Sequence, residues 1–191
     1  MKIIIRVLLL SLVFSCNTGL EKEKVNDTIE STEVNDPSYN PEARLKDLNI
    51  ELLPLSPPVA NYVHVVKAGN LLFLAGKGPK KSNGKNIVGK LGDNLSLEEG
   101  YEAARVAGIN QLAVLKSELG NLNKVKQIVR VNGMVNAIPD FKDHSKVVNG
   151  CSDLMVAVFG EKGKHARAAV GMGSLPGNMA VEVQMIVEVF D

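Results

Sequence analysis

Apolar and polar residues alternate differently along three stretches of this chain. Residues 7–14 form an unbroken apolar run. Residues 17–41 are polar, with sparse apolar positions that follow no period. From Glu42 onward apolar positions return at regular spacing, as in a folded domain. Within that third stretch, residues 42–48 fit a short helix, capped by Asn40 with Pro41 at its first position. Pro54, Pro57 and Pro58 then enforce an extended approach. Residues 62–67 and 71–75 read as two strands joined at Gly69-Asn70, and the Gly-, Lys- and Asn-rich residues 76–92 read as a loop.

The clearest helix begins at Ser96, where Ser96-Leu97-Glu98-Glu99 has the form of a capping box. Leu97, Tyr101, Ala104, Gly108, Leu112, Leu115 and Leu119 recur at three- and four-residue intervals on one face, and Gly120 ends it. Residues 128–137 alternate in part and predict a strand with one solvated face. Residues 141–159 predict a second helix, interrupted at Asn149-Gly150. Residues 167–173 and 179–190 predict two strands around a Leu-Pro-Gly-Asn turn. In the last strand Val181, Val183, Met185, Val187 and Val189 share one face, and Glu182, Gln184 and Glu188 the other.

The order ββαβαββ describes an α+β domain, one mixed sheet with two helices on its valine-rich face. The opposite face carries Glu182, Gln184 and Arg130 but also Ile186 and Phe190. A half-apolar open face predicts packing against another copy of the chain.

Composition narrows the function classes. The 191 residues hold 22 basic and 21 acidic side chains, no Trp and only 4% aromatics. A chain this evenly charged lacks the basic face of a nucleic-acid binder, so no nucleic-acid partner is expected. Two cysteines, Cys16 and Cys151, cannot build a disulfide framework. His64, His144 and His165 lie far apart in sequence without ligand spacing, so no metal site is expected.

The N-terminal run changes the picture of location. Lys2 and Arg6 precede it, it is too short to span a bilayer, and it ends at Ser15-Cys16. Leu12-Val13-Phe14-Ser15-Cys16 resembles a bacterial lipobox. On that reading residues 1–15 are a signal peptide, Cys16 is the lipid-modified mature N-terminus, and residues 16–41 are a disordered tether. Residues 42–191 are the domain, exported and held at a membrane of the cell envelope, facing the periplasm. An ordinary signal peptide that leaves a soluble exported protein is the alternative.

Several segments of the domain are more specific than their periodicity. Gly89-Lys90-Leu91-Gly92 precedes Leu97-Glu98-Glu99-Gly100-Tyr101-Glu102-Ala103-Ala104-Arg105. Gly133-Met134-Val135-Asn136, Pro139-Asp140-Phe141, Asn149-Gly150-Cys151-Ser152-Asp153-Leu154, Gly163-Lys164-His165-Ala166-Arg167 and Leu175-Pro176 follow in order. Together they resemble the YjgF/RidA family, the reactive intermediate deaminases, over about residues 61–189. The resemblance implies a chorismate-mutase-like fold assembled as a homotrimeric barrel, with ligand clefts between subunits. It implies hydrolysis of imines and enamines of amino acids, of the 2-aminoacrylate type, to 2-keto acids and ammonia, without a cofactor. Other members carry endoribonuclease or translation-inhibitor names.

The resemblance also assigns roles. Arg167 falls on the carboxylate-binding arginine; a surface salt bridge is the plain alternative. Glu182, fifteen residues later, falls on the carboxylate that positions or activates water and can sit near Arg167 on the return strand; a polar-face glutamate is its alternative. Tyr62 matches an aromatic of the cleft, or else packs in the core. Gly76 lets backbone approach the ligand, or simply makes a turn. Asn149 matches a pocket asparagine, or else marks a helix interruption. Gln184 stands where many members have a second glutamate, and His64 where active relatives often carry Gln. Cys151 has no identifiable activating partner and reads as a small buried thiol. A binding protein for small carboxylate metabolites, without turnover, is the competing function.

Overall fold

The computed structural model describes residues 39–190, so the expectations for the signal peptide, for Cys16 and for nearly all of the tether lie outside the described residues. The first helix, α1 (Pro41–Asp47), starts as its sequence dictates, with the Asn40 side chain accepting from the Ala43 amide at 3.0 Å. It is pinned to the domain by Glu42, which takes Lys116 Nζ at 2.8 Å and the Leu122 amide at 2.7 Å. Just ahead of it, the Tyr39 hydroxyl donates to the Val125 carbonyl at 2.6 Å.

The strands are β1 (Val65–Ala68), β2 (Leu71–Lys77), β3 (Val125–Asn136), β4 (Ala166–Met172) and β5 (Val181–Val189). They form one mixed sheet in the order β1-β2-β5-β3-β4, in which β3 and β4 are parallel and every other neighbour is antiparallel. A parallel pair needs a crossover, and helix α3 (His144–Phe159) supplies it. Helix α2 (Leu97–Leu119) connects β2 to β3. Both lie over the face made by Val181, Val183, Met185, Val187 and Val189, all buried, together with Ile128, Val131 and Val135. The α+β class and the ββαβαββ order therefore hold.

Most boundaries shift by one to three residues, with α3 starting at His144 and β2 running on to Lys77, and three differences have a clear physical reason. Ladder pairing of β1 begins only at Val65; residues 62–64 precede it, and the His64 ring turns to the Ser56 carbonyl and Lys77 Nζ. β3 starts at Val125, three residues before the expected start, because a register shift between Val125 and Gln127 hides the alternation there. The third difference is mechanical. Asn149-Gly150 does not interrupt α3, which runs unbroken through it.

Gly150 has a packing reason instead. A Cβ at that position would lie 2.0 Å from the Tyr101 carbonyl oxygen and 3.1 Å from the Arg105 nitrogen, both backbone atoms of α2. The two helices meet there main chain to main chain, and the Tyr101 hydroxyl donates to Asp153 of α3 at 2.9 Å beside the contact. α2 itself is closed at both ends. Ser96 and Glu99 satisfy each other's amides at 3.2 and 2.8 Å, and Gly120 takes the left-handed cap at φ 71°.

The open face of the sheet is mixed as expected. Val66, Phe73, Val170 and Met172 are exposed on it, and a shallow cleft of about 140 Å³ is lined by Phe73, Arg130, Asn132, Gln184 and Ile186.

Helix propensity and packing make opposite predictions for Gly150→Ala. Propensity alone would stabilise α3 by about 1 kcal/mol. Forcing two backbones apart costs more, and we expect a net loss of about 3 kcal/mol, read as a lower urea midpoint at unchanged slope. A stabilised variant would show that the helices can separate freely.

Candidate functional site

Arg167 pairs with Val131 of β3 in the parallel ladder. Val131 is buried beneath the helices, so Arg167 rises on the helix side, at the edge strand beside α3. There its Nη1 donates to Asn149 Oδ1 at 2.7 Å and to Ser152 Oγ at 3.1 Å. Asn149 and Ser152 are three residues apart on one helical face. Nη1 has two hydrogens and both are used. Nε and Nη2 meet no acceptor among the described residues, and these two edge donors match the two oxygens of a carboxylate. The guanidinium is exposed, held in place, and open along its binding edge.

His165 precedes Arg167 by two residues in the strand direction and reaches the same helix. Its Nε2 lies 3.0 Å from Ser152 Oγ, and its Nδ1 lies 2.7 Å from the Gly163 carbonyl oxygen. A carbonyl can only accept, so Nδ1 carries the proton in the neutral ring and Nε2 accepts from the Ser152 hydroxyl. Burial pushes the imidazole below its ordinary pKa, and the Arg167 charge adds to that against the Gly163 bond. The result is a chain of hydrogen bonds from Arg167 through Ser152 and His165 to the backbone. Ser152 and His165 lie inside the Asn149–Leu154 and Gly163–Arg167 segments, whose sequence assigns them no role. The signal is present as spacing, i to i+3 on a helix and j to j+2 at the entry to a strand, but nothing in the sequence says that these two places meet.

Glu182 lies elsewhere. It alternates with the buried Val181 and Val183 and stands opposite Met134, on the open face of the sheet. Within one chain Arg167 and Glu182 are therefore on opposite faces, contrary to the expected proximity. Gly76 does belong with Glu182. A register shift between Leu74 and Lys77 places it under the carboxylate, where a Cβ would fall 1.9 Å from Glu182 Oε1. From α2, Gln111 Nε2 spans this irregularity, donating to the Ala75 carbonyl at 3.0 Å and to the Val183 carbonyl at 2.5 Å. Glu182 is half-buried, and burial raises its carboxyl above the ordinary glutamate value.

Tyr62 is exposed before β1, so it is not a core residue; its ring sits edge-on to His64 at 6.3 Å. It makes no described contact with Arg167 or Glu182. Cys151 is fully buried, and burial pushes its thiol up to about 12, which leaves no reactive thiolate at neutral pH. Among the described residues no group of three or more His, Cys, Asp or Glu could hold a metal ion, and no helix is long and apolar enough to cross a membrane.

Comparison with known proteins places this geometry in a family. Residues 42–189 match the model described as "YjgF/chorismate mutase-like, putative endoribonuclease". Protein TCP17 of Trypanosoma cruzi is 42% identical over 147 residues, 76% of this chain and 92% of that protein. The crystal structure of Atu1372 from Agrobacterium tumefaciens, a protein of unknown function, superposes with a TM-score of 0.73 at 41% identity, covering 78% of this chain and 94% of that one. A 2-iminobutanoate/2-iminopropanoate deaminase of Dermatophagoides farinae is 28% identical over 136 residues, 70% of this chain and 91% of that protein. By its fold and by the match over the whole folded domain, the chain belongs to the YjgF/RidA family.

Proposed function

We propose that this protein hydrolyses small 2-imino and enamine acids to 2-keto acids and ammonia, with Arg167 as the clamp for the substrate carboxylate. The observation that carries the reading is the state of Arg167. Asn149 and Ser152 occupy Nη1, and the Nε–Nη2 edge is free to take both oxygens of one carboxylate. A substrate held there by its carboxylate has its neighbouring C=N carbon in a fixed place, which is the part of catalysis that positioning supplies. Glu182 is the residue that orients the attacking water.

Arg167 and Glu182 then have to come from different subunits. We infer a homotrimer in which the open sheet faces are buried and Glu182, Gly76 and Tyr62 of one copy approach Arg167 of another. The exposed Val66, Phe73, Val170 and Met172 give that face its apolar content. The anchor reading of Cys16, and with it export to the cell envelope, belongs to the same proposal. It rests on the sequence of residues 1–16. One observation favours a carboxylate-binding protein without turnover as the second reading: the Arg167–Asn149 clamp is complete within one chain, whereas Glu182 is not beside it.

The substitutions separate these readings. Arg167→Lys keeps the charge but loses the fork, and should cost about 2–3 kcal/mol, roughly 30- to 150-fold in kcat/KM. The assay releases 2-iminopropanoate in situ from an amino-acid oxidase and follows pyruvate. Glu182→Gln should lower kcat more than it weakens binding. Wild-type protein that binds pyruvate through Arg167 but never speeds its release would favour the binding reading. Full activity in Arg167→Ala would move the site elsewhere.

Light scattering of the intact protein should give about three times the monomer mass, and a stable monomer would remove the shared cleft. For the anchor, Cys16→Ser should shift the protein from the membrane to the soluble fraction or block its processing. Unchanged fractionation and processing would disprove lipidation.

A further inference from the structure

A clamp holds the substrate but moves no proton, and imine hydrolysis must move one from the attacking oxygen to the departing nitrogen. Glu182 faces the other side of the sheet from Arg167 in the same chain. The group that does lie beside the clamp is the Ser152 hydroxyl, 3.1 Å from Nη1. Its environment defines the direction of every hydrogen bond around it. Gly163 can only accept from His165 Nδ1, so His165 Nε2 must accept from Ser152. Arg167 can only donate, so it takes one lone pair of the Ser152 oxygen and leaves the other open. The serine thus gives its proton toward a base and keeps an acceptor site for a proton from outside. That is the wiring of a shuttle. A structural serine in a helix would more simply return its hydroxyl to its own backbone.

We propose that Ser152 is a catalytic residue that passes protons between the reacting water and His165, on a 2-imino acid held by Arg167. The assignment rests on the deaminase reading above. Water forms a C–O bond to the iminium carbon as the C=N electron pair moves onto nitrogen. The proton released by that water goes to Ser152 Oγ as Ser152's own proton goes to His165 Nε2. In the second half the proton returns by the same path to nitrogen, and the C–N bond breaks with its pair on nitrogen. The remaining hydroxyl proton leaves with ammonia as ammonium. Iminium and water have then become 2-keto acid and ammonium, with no change of oxidation state.

His165 acts through Ser152 and is a positioning residue, but its charge state decides whether the shuttle runs. A protonated ring would donate at Nε2 and could no longer take the serine proton. Among the elements packed around it, Arg167 on β4 is the charge that bears on the ring, and it favours the neutral form. Glu161 and Lys164 of the preceding turn pair with each other at 2.8 Å. Asp153 of α3 takes the Tyr101 hydroxyl, and Arg130 of β3 turns to Asn132 at 2.9 Å on the open face. The shuttle should therefore work at neutral pH and fail on acidification, as Nε2 gains its proton.

The test is the pH profile of kcat/KM for 2-iminopropanoate hydrolysis by the intact protein, with pyruvate binding measured by calorimetry on the same samples. Wild type should show a one-proton fall toward acid. His165→Gln should lose about 100-fold in kcat/KM at neutral pH, show no such fall, and bind pyruvate within about threefold of wild type. Ser152→Ala should lose a similar factor, and the double variant little more, because the two act as one unit. Ser152→Thr, which keeps the hydroxyl, should regain most of the rate and the acid fall. Glu182→Gln should keep the acid fall, which separates the imidazole from the carboxylate as its source. An acid fall that persists unchanged in His165→Gln overturns the shuttle, whatever the rate, and leaves the deaminase reading standing. So does a Ser152→Ala variant as active as wild type. Absence of turnover by wild type, with pyruvate still bound through Arg167, overturns both.

Discussion

The approach of α3 to α2 at Gly150 is the constraint from which the site follows. With no side chain there, the α3 backbone rests against the Tyr101 carbonyl, and the distance leaves no space for a methyl group. Asn149 and Ser152 flank that contact by one and two residues. Their reach toward β4 is set by the same packing that seats the helix on the sheet. Arg167, on an edge strand whose register is set by the parallel ladder to β3, and His165, one residue before that strand, then meet them. Four side chains converge where one glycine lets α3 rest against α2 main chain to main chain.

The sheet divides the expected site into two halves. Arg167, Asn149, Ser152 and His165 gather on the helix side, whereas Glu182 and Gly76 gather on the open side. The second half has its own device. An irregularity in β2, spanned from behind by Gln111, sets Gly76 under the Glu182 carboxylate. Each half is ordered, and each lacks what the other has. The clamp has no carboxylate base, and the half-buried carboxylate has no described cation. In the proposed trimer the two halves meet between copies, and there the half-apolar open face bears on the chemistry as well as on solubility.

Electrostatics sort the remaining candidates. Burial is the largest influence against the charged form of Cys151, Glu182 and His165, but with different consequences. For the thiol it means inertness at neutral pH. For the carboxylate it means a stronger base than a solvated glutamate. For the imidazole it means neutrality, hence a free lone pair aimed at Ser152. The same physical cause makes the thiol inert and leaves the carboxylate and the imidazole available as proton acceptors in the roles proposed for them.

Most of the fold was legible along the chain. Period-2 and period-3.6 patterns located the valine-rich β5 and the capped α2, and the ordered motifs indicated the family, because these signals are local and repeat over many residues. The same local signals failed where a single residue answered to a distant neighbour. Gly150 reads as a helix breaker in sequence and serves as a helix contact in space, since its reason is a carbonyl 49 residues away. The fifteen-residue spacing of Arg167 and Glu182 suggested proximity, but strand alternation and the intervening β3 put them on opposite faces. Ser152 and His165, a hydroxyl and an imidazole thirteen residues apart, carry no mark of contact in the sequence. Sequence by itself determined which elements form and which face of each is apolar, since backbone geometry ties both to local periodicity. Only the tertiary structure decided which side chains share a hydrogen bond, because that depends on how elements cross, and crossing is set by contacts between residues far apart in the chain.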